Sequence, residues 1–131
     1  MEKILRIEKA VFKESAKDWC DYEGYQIITD KQTIKLGIDN MRSCCENWGY
    51  FFSEDNLDEF IGAELLDIKL TDSQLKPAEF DTNNMYEGGA MFVNIETSKG
   101  TLQFIAYNEH NGYYGHESCV ISKQLTHEEV L

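Results

Sequence analysis

The sequence predicts an α+β domain, mainly antiparallel β-hairpins in a curved sheet with one or two short helices. Three observations carry that expectation. Two stretches alternate apolar and polar residues on either side of a polar turn, one short acidic stretch carries a helix-capping pattern, and the 131-residue chain, 42% apolar and 27% charged, is long enough to bury one core without staples. Residues 1–131 read as a single domain.

In chain order, Ile4, Ile7 and Val11 fit helical spacing, but the β-rich context favours a strand followed by a polar connection. Tyr25-Gln26-Ile27-Ile28 is a β-rich run, Thr29-Asp30-Lys31-Gln32 a turn, and Ile34, Leu36 and Ile38 share one face beyond it, which reads as a hairpin. Ser53 is placed to cap a short helix with Glu54, Asp55, Asp58 and Glu59 near its positive end, Leu57, Phe60 and Ile61 on its apolar side and Gly62 as its stop. Leu66, Ile68 and Leu70 alternate with Asp67 and Lys69 as a further strand. Residues 71–89, with Pro77, Asn83, Asn84 and Gly88-Gly89, are the expected long loop. A second hairpin follows: Met91, Val93 and Ile95 lead into Thr97-Ser98-Lys99-Gly100, and Leu102, Phe104 and Ala106 lead out, with Gly100 supplying the positive φ of the turn. Val120, between Ser118 and Ser122, marks a last strand over 117–123.

The two hairpins echo one another. Residues 29–36 match residues 97–104 in class at most positions, at an offset of 68, and both second strands run to an asparagine, Asn40 and Asn108. Similarity between amphipathic hairpins also arises by chance. Each copy nevertheless leads into an unusual segment, Ser43-Cys44-Cys45-Glu46-Asn47-Trp48-Gly49-Tyr50 and His110-Asn111-Gly112-Tyr113-Tyr114-Gly115-His116. If the hairpins share one orientation, both segments emerge at the same end.

Charge narrows the function. Residues 1–42 carry 8 Lys/Arg against 8 Asp/Glu and residues 43–131 carry 4 against 16, so the whole net charge of −12 belongs to the later part. A phosphate backbone would be repelled, and no basic stripe exists to release counterions, so direct nucleic-acid binding is disfavoured. A basic protein surface or a cation suits this charge better. No run approaches the roughly 20 apolar residues of a bilayer span, and the opening Met1-Glu2-Lys3-Ile4-Leu5-Arg6 is too charged for a signal peptide. The expected compartment is the cytoplasm, with the four cysteines as reduced thiols.

The blocks Asp21-Tyr22-Glu23-Gly24-Tyr25, Cys44-Cys45-Glu46, residues 56–63, residues 99–104 and Asn111-Gly112-Tyr113-Tyr114 together resemble a family of uncharacterised small proteins encoded by phages and prophages of Gram-positive bacteria. The resemblance covers residues 21–121 and implies a phage or mobile-element setting, which makes the expected cytoplasm that of a host cell, without a known reaction. It expects Ser where this chain has Gly115.

The expected binding residues are Cys45, Glu46, Trp48, Tyr50, Asp55, Asp58, Glu59, His110, Asn111, Tyr113, Tyr114 and His116. Aromatic rings beside Asn and His tips suit protein interfaces and base-stacking pockets alike, while core packing and turn formation account equally for several of them. No cofactor or metal is expected. The leading expectation is a noncatalytic phage or prophage accessory protein that binds and modulates a host protein, with an acidic DNA surrogate against a defence or nucleic-acid-handling factor as one form of that role. A nucleotide-sequestering protein is one alternative, with Arg42 needed against the phosphate. A metal- or thiol-dependent enzyme using Cys44 or Cys45 with His110 or His116 is another, although adjacent cysteines converge poorly on one metal.

Overall fold

A computed structural model describes residues 1–13, 21–40, 47–75, 88–109 and 115–131. The strands are β1 (Glu2–Phe12), β2 (Tyr22–Thr29), β3 (Thr33–Asp39), β4 (Asn47–Phe52), β5 (Glu64–Thr71), β6 (Gly88–Thr97), β7 (Gly100–Glu109), β8 (Glu117–Ile121) and β9 (Thr126–Val130). They form one antiparallel sheet in the order β4-β7-β6-β5-β1-β2-β3-β8-β9. The sheet turns at the short contact of β1 with β5, Glu2 opposite Leu65 and Lys3 opposite Glu64, and both strands carry a register shift just beyond it. The two arms therefore fold face to face. Tyr25 on β2 packs against Phe52 on β4 and Phe104 on β7, and Ile27, Ile34, Leu36, Val93, Ile95 and Leu102 fill the space between the arms.

The α+β expectation is corrected to an antiparallel β-sheet fold. Among the described residues the helical element is one 3-10 turn, Leu57–Phe60. Ser53 does not cap it, because Ser53 extends the β4–β7 ladder: its N–H donates to the Gln103 carbonyl at 2.8 Å, and its hydroxyl accepts from the Gln103 N–H at 2.9 Å. Capping passes to Asn56, whose side chain accepts from the Asp58 N–H. Too few residues then remain for an α-helix before Phe60 enters the core.

Both hairpins and the opening strand form as expected. In the β2–β3 turn the Lys31 N–H donates to the Thr29 hydroxyl, which also reaches the Gln32 carbonyl. In the β6–β7 turn the Lys99 N–H and the Gly100 carbonyl meet Thr97 in the same way, with Gly100 at φ 118°. The strand expected around Ile68 exists, but its faces differ from simple alternation. The register shift between Leu65 and Asp67 buries Leu65 and Ile68 and leaves Leu66 58% exposed. Gly88 and Gly89 belong to β6 and not to the long loop, while residues 76–87 with Pro77, and residues 14–20 after β1, lie outside the described residues. Strands β4 and β9 carry too little alternation to stand out in sequence.

The echo between hairpins extends to the whole architecture. Adding 68 to the β2–β3 pair Tyr25 and Leu36 gives Val93 and Phe104, an observed β6–β7 pair. The register shift in β1 between Ile4 and Arg6 recurs in β5 between Leu65 and Asp67. The halves exchange their fourth strands. β4 follows β3 yet pairs with β7, and β8 follows β7 yet pairs with β3, with Phe52 opposite Phe104 in one case and the equivalent Val120 opposite Leu36 in the other. The chain therefore crosses between the halves after β3 and after β7, and these two strands finish at the same end of the fold; most of the two unusual segments lies outside the described residues.

Candidate functional site

At that end the two-fold relation brings equivalent residues together. Trp48 is the second residue of β4, His116 precedes β8 at the equivalent position, and their rings stack with centroids 5.1 Å apart. Side chains two residues further along face the opposite arm in the same manner: the Tyr50 hydroxyl donates to the Glu23 carboxylate at 2.8 Å, and the equivalent Ser118 hydroxyl meets the sulfur of Met91, the equivalent of Glu23, at 3.4 Å. Burial, the Glu23 carboxylate that accepts its proton and the neighbouring Tyr25 all push the Tyr50 phenol above its usual range.

The halves also differ in the pair that closes each crossing. His116 Nδ1 lies 2.8 Å from the Asp39 carboxylate and 2.9 Å from the Asp39 carbonyl. Both neighbours are acceptors, so Nδ1 carries a proton and donates it. The second carboxylate oxygen of Asp39 accepts from the Glu117 N–H at 2.8 Å. The equivalents of Asp39 and Glu117 are Tyr107 and Gly49, where the tyrosine ring lies over the glycine. One half closes its crossing with a ring and the other with a hydrogen-bonding carboxylate. The side chains of His116 and Asp39 are 2% and 7% exposed. The geometry of this pair serves to tie the end of β3 to the start of β8.

The sequence-predicted residues therefore separate. Trp48, Tyr50 and His116 come together at the crossing end. Asp55, Asp58 and Glu59 lie beyond the other end of β4, on the connection to β5. Cys44, Cys45, Glu46, His110, Asn111, Tyr113, Tyr114 and Arg42 lie outside the described residues. Asp39, Glu23 and Glu117 belong to the crossing site and were missed by sequence reasoning. A carboxylate closing an apolar run, as Asp39 closes Ile34 to Ile38, was the available signal. Among the described residues no group of three His, Cys, Asp or Glu side chains is arranged to hold a metal ion, and Cys119 is a buried thiol. Among those residues, too, no helix is long and apolar enough to cross a membrane.

Near the other end an open depression of about 570 Å³ is lined by Glu54, Glu59, Phe60, Leu75, Lys99 and Thr101. Asp55, Asp58 and Glu59 are exposed, and none has an ion-pair partner among the described residues.

Fold and site together define a small all-β protein built from two related halves with exchanged strands and a buried His-Asp tie at the crossing. The chain belongs to the family described as a domain of unknown function, DUF7448, which matches residues 2–120. No curated protein and no solved structure matches it.

Proposed function

We propose that the chain is a noncatalytic binding protein that engages a basic surface of another protein. In a phage or prophage setting, that partner is a host protein in the cytoplasm whose phosphate-binding groove accepts carboxylates in place of a nucleic acid. The observation that carries the reading is the exposed trio Asp55, Asp58 and Glu59, without cationic partners among the described residues, in a chain of net charge −12. Such uncompensated carboxylates raise the local negative potential and speed encounter with a cationic partner.

Co-purification from an infected or lysogenic host, followed by mass spectrometry, tests the reading. A basic, nucleic-acid-handling partner should be retained at low salt, and the Asp55→Asn/Asp58→Asn/Glu59→Gln variant should retain roughly tenfold less. Equal retention by the variant, or a partner without a basic surface, would sink the proposal.

A further inference from the structure

The two halves differ in what borders their exchanged strands. β8 has β3 on one side and β9 on the other, whereas β4 has β7 on one side and ends the sheet. His116 and Leu131 exchange both backbone bonds, at 3.2 and 2.7 Å, so the backbone groups of His116, Ser118 and Val120 face β9. For β4 the bond from the Ser53 N–H to the Gln103 carbonyl sets the phase. Trp48, Tyr50 and Phe52 then direct their N–H and C=O groups away from β7. These are the equivalents of the three residues that hold β9. Among the described residues nothing pairs with them.

The other free edges are guarded. β9 carries Glu128 and Glu129, and β1 beyond its contact with β5 carries Arg6, Glu8 and Lys9. On β5 the Ile68 N–H is already taken by the Asp67 carboxylate at 2.8 Å. Charges and local caps of this kind keep an edge from pairing. Asn47–Phe52 has no charged residue at all.

We propose that the outer edge of β4 takes an antiparallel strand from a partner protein, in the place that β9 occupies in the other half. The inference deepens the basic-partner reading and rests on it for the charge of the occupant. Strand addition supplies affinity through the main chain and specificity through alternate side chains. The residues opposite Trp48, Tyr50 and Phe52 are apolar or β-branched, since those three positions present aromatic rings. In antiparallel order the N-terminal end of the incoming segment passes the Phe52 end of β4, where Asp55 and Asp58 follow. That end of the segment is basic. A second copy of β4 is a poorer occupant, because Asn47–Phe52 is uncharged and brings no basic residue to the end where Asp55 and Asp58 follow.

The full chain is titrated calorimetrically with an end-blocked peptide, Arg-Lys-Arg-Thr-Val-Thr-Val-Thr-Val, and with the same residues in reverse order. The forward peptide should bind, and the reversed one should bind roughly tenfold more weakly. Tyr50→Pro removes an outward N–H at an edge position where proline is tolerated, and Tyr50→Ala removes the ring but keeps that N–H. The proline variant should bind roughly tenfold more weakly than the alanine variant. If the proline variant does not fold, N-methylation of alternate residues on the peptide makes the same comparison. No binding by either peptide, or equal binding by the two variants, overturns the inference. So does a dimer of the peptide-free chain that Tyr50→Pro dissolves, because a second copy would then be the occupant. If neutralising Asp55, Asp58 and Glu59 weakens binding while Tyr50→Pro does not, the basic-partner reading stands and the edge fails. If only Tyr50→Pro matters, the edge stands and the basic chemistry of its occupant fails.

Discussion

His116 Nδ1 donates to the carboxylate of Asp39 at 2.8 Å, and the same carboxylate accepts from the Glu117 backbone, so one side chain ties together two strands from different halves. Asp39→Ala leaves a buried imidazole and a backbone N–H without that acceptor. Loss of one partner of a buried pair costs far more than the pair contributes net. The expected fall in unfolding free energy is about 2–4 kcal/mol, measured by urea denaturation. A change below 0.5 kcal/mol, on the order of an exposed pair, would show that the tie is not needed.

Thr29 and Thr97 each accept from the backbone N–H two residues on, but the Thr97 hydroxyl donates to the Gly100 carbonyl whereas the Thr29 hydroxyl donates to the Glu2 carboxylate, at 2.5 Å. Thr97→Val should cost about 1 kcal/mol, and Thr29→Val distinctly more. The two turns share no partner, so the double variant should show the sum of the single effects. Equal costs in the two turns would remove Glu2 from the account.

The repeat was readable because turns and apolar alternation are local: Thr, Lys and the spaced Ile, Leu and Phe residues recur at the offset of 68 whatever the long-range pairing. The exchange of β4 and β8 was not readable, because pairing with β7 or with β3 leaves the alternation of either strand unchanged. The short helix failed for a related reason. Ser53 is a good cap in isolation, but the ladder with Gln103 competes for the same hydroxyl and N–H. Trp48, Tyr50 and His116 stood out by composition, whereas Asp39 acquires its role only when β8 arrives beside β3.

Gly24 stands opposite Gly37 on the neighbouring strand. A Cβ there would lie 2.0 Å from the Leu36 carbonyl oxygen, a backbone atom that cannot swing aside. Gly24→Ala should therefore destabilise by more than about 2 kcal/mol. Gly100→Ala meets open space and is penalised only by its φ of 118°, on the order of 1–2 kcal/mol. Thermal unfolding of the two variants should place Gly24→Ala clearly lower, and the reverse order would contradict the close approach.

The pH dependence should have two arms. Burial of Glu2 acts to raise its pKa, but hydrogen bonds from Thr29, Gln32 and Gln124 and the charge of Lys31 outweigh it, so the folded value lies below the ordinary 4.5. The associated stability is present above about pH 4.5 and is lost as the pH falls through the folded value. Glu2→Gln should flatten that acid arm by a few tenths of a kcal/mol. For Tyr50 the shift is upward, so the folded chain keeps its proton while the unfolded chain releases it near the ordinary 10. That stability is complete below about pH 10 and declines as the pH rises further. Tyr50→Phe retains the ring against Tyr25 and Phe104 but loses the bond to Glu23. It should lower stability at neutral pH by about 1 kcal/mol and make the decline above pH 10 shallower than in the parent chain. Urea midpoints between pH 8 and 11 measure both effects, and parallel curves for the two proteins would mean that the phenol is not held protonated by Glu23 and its buried surroundings.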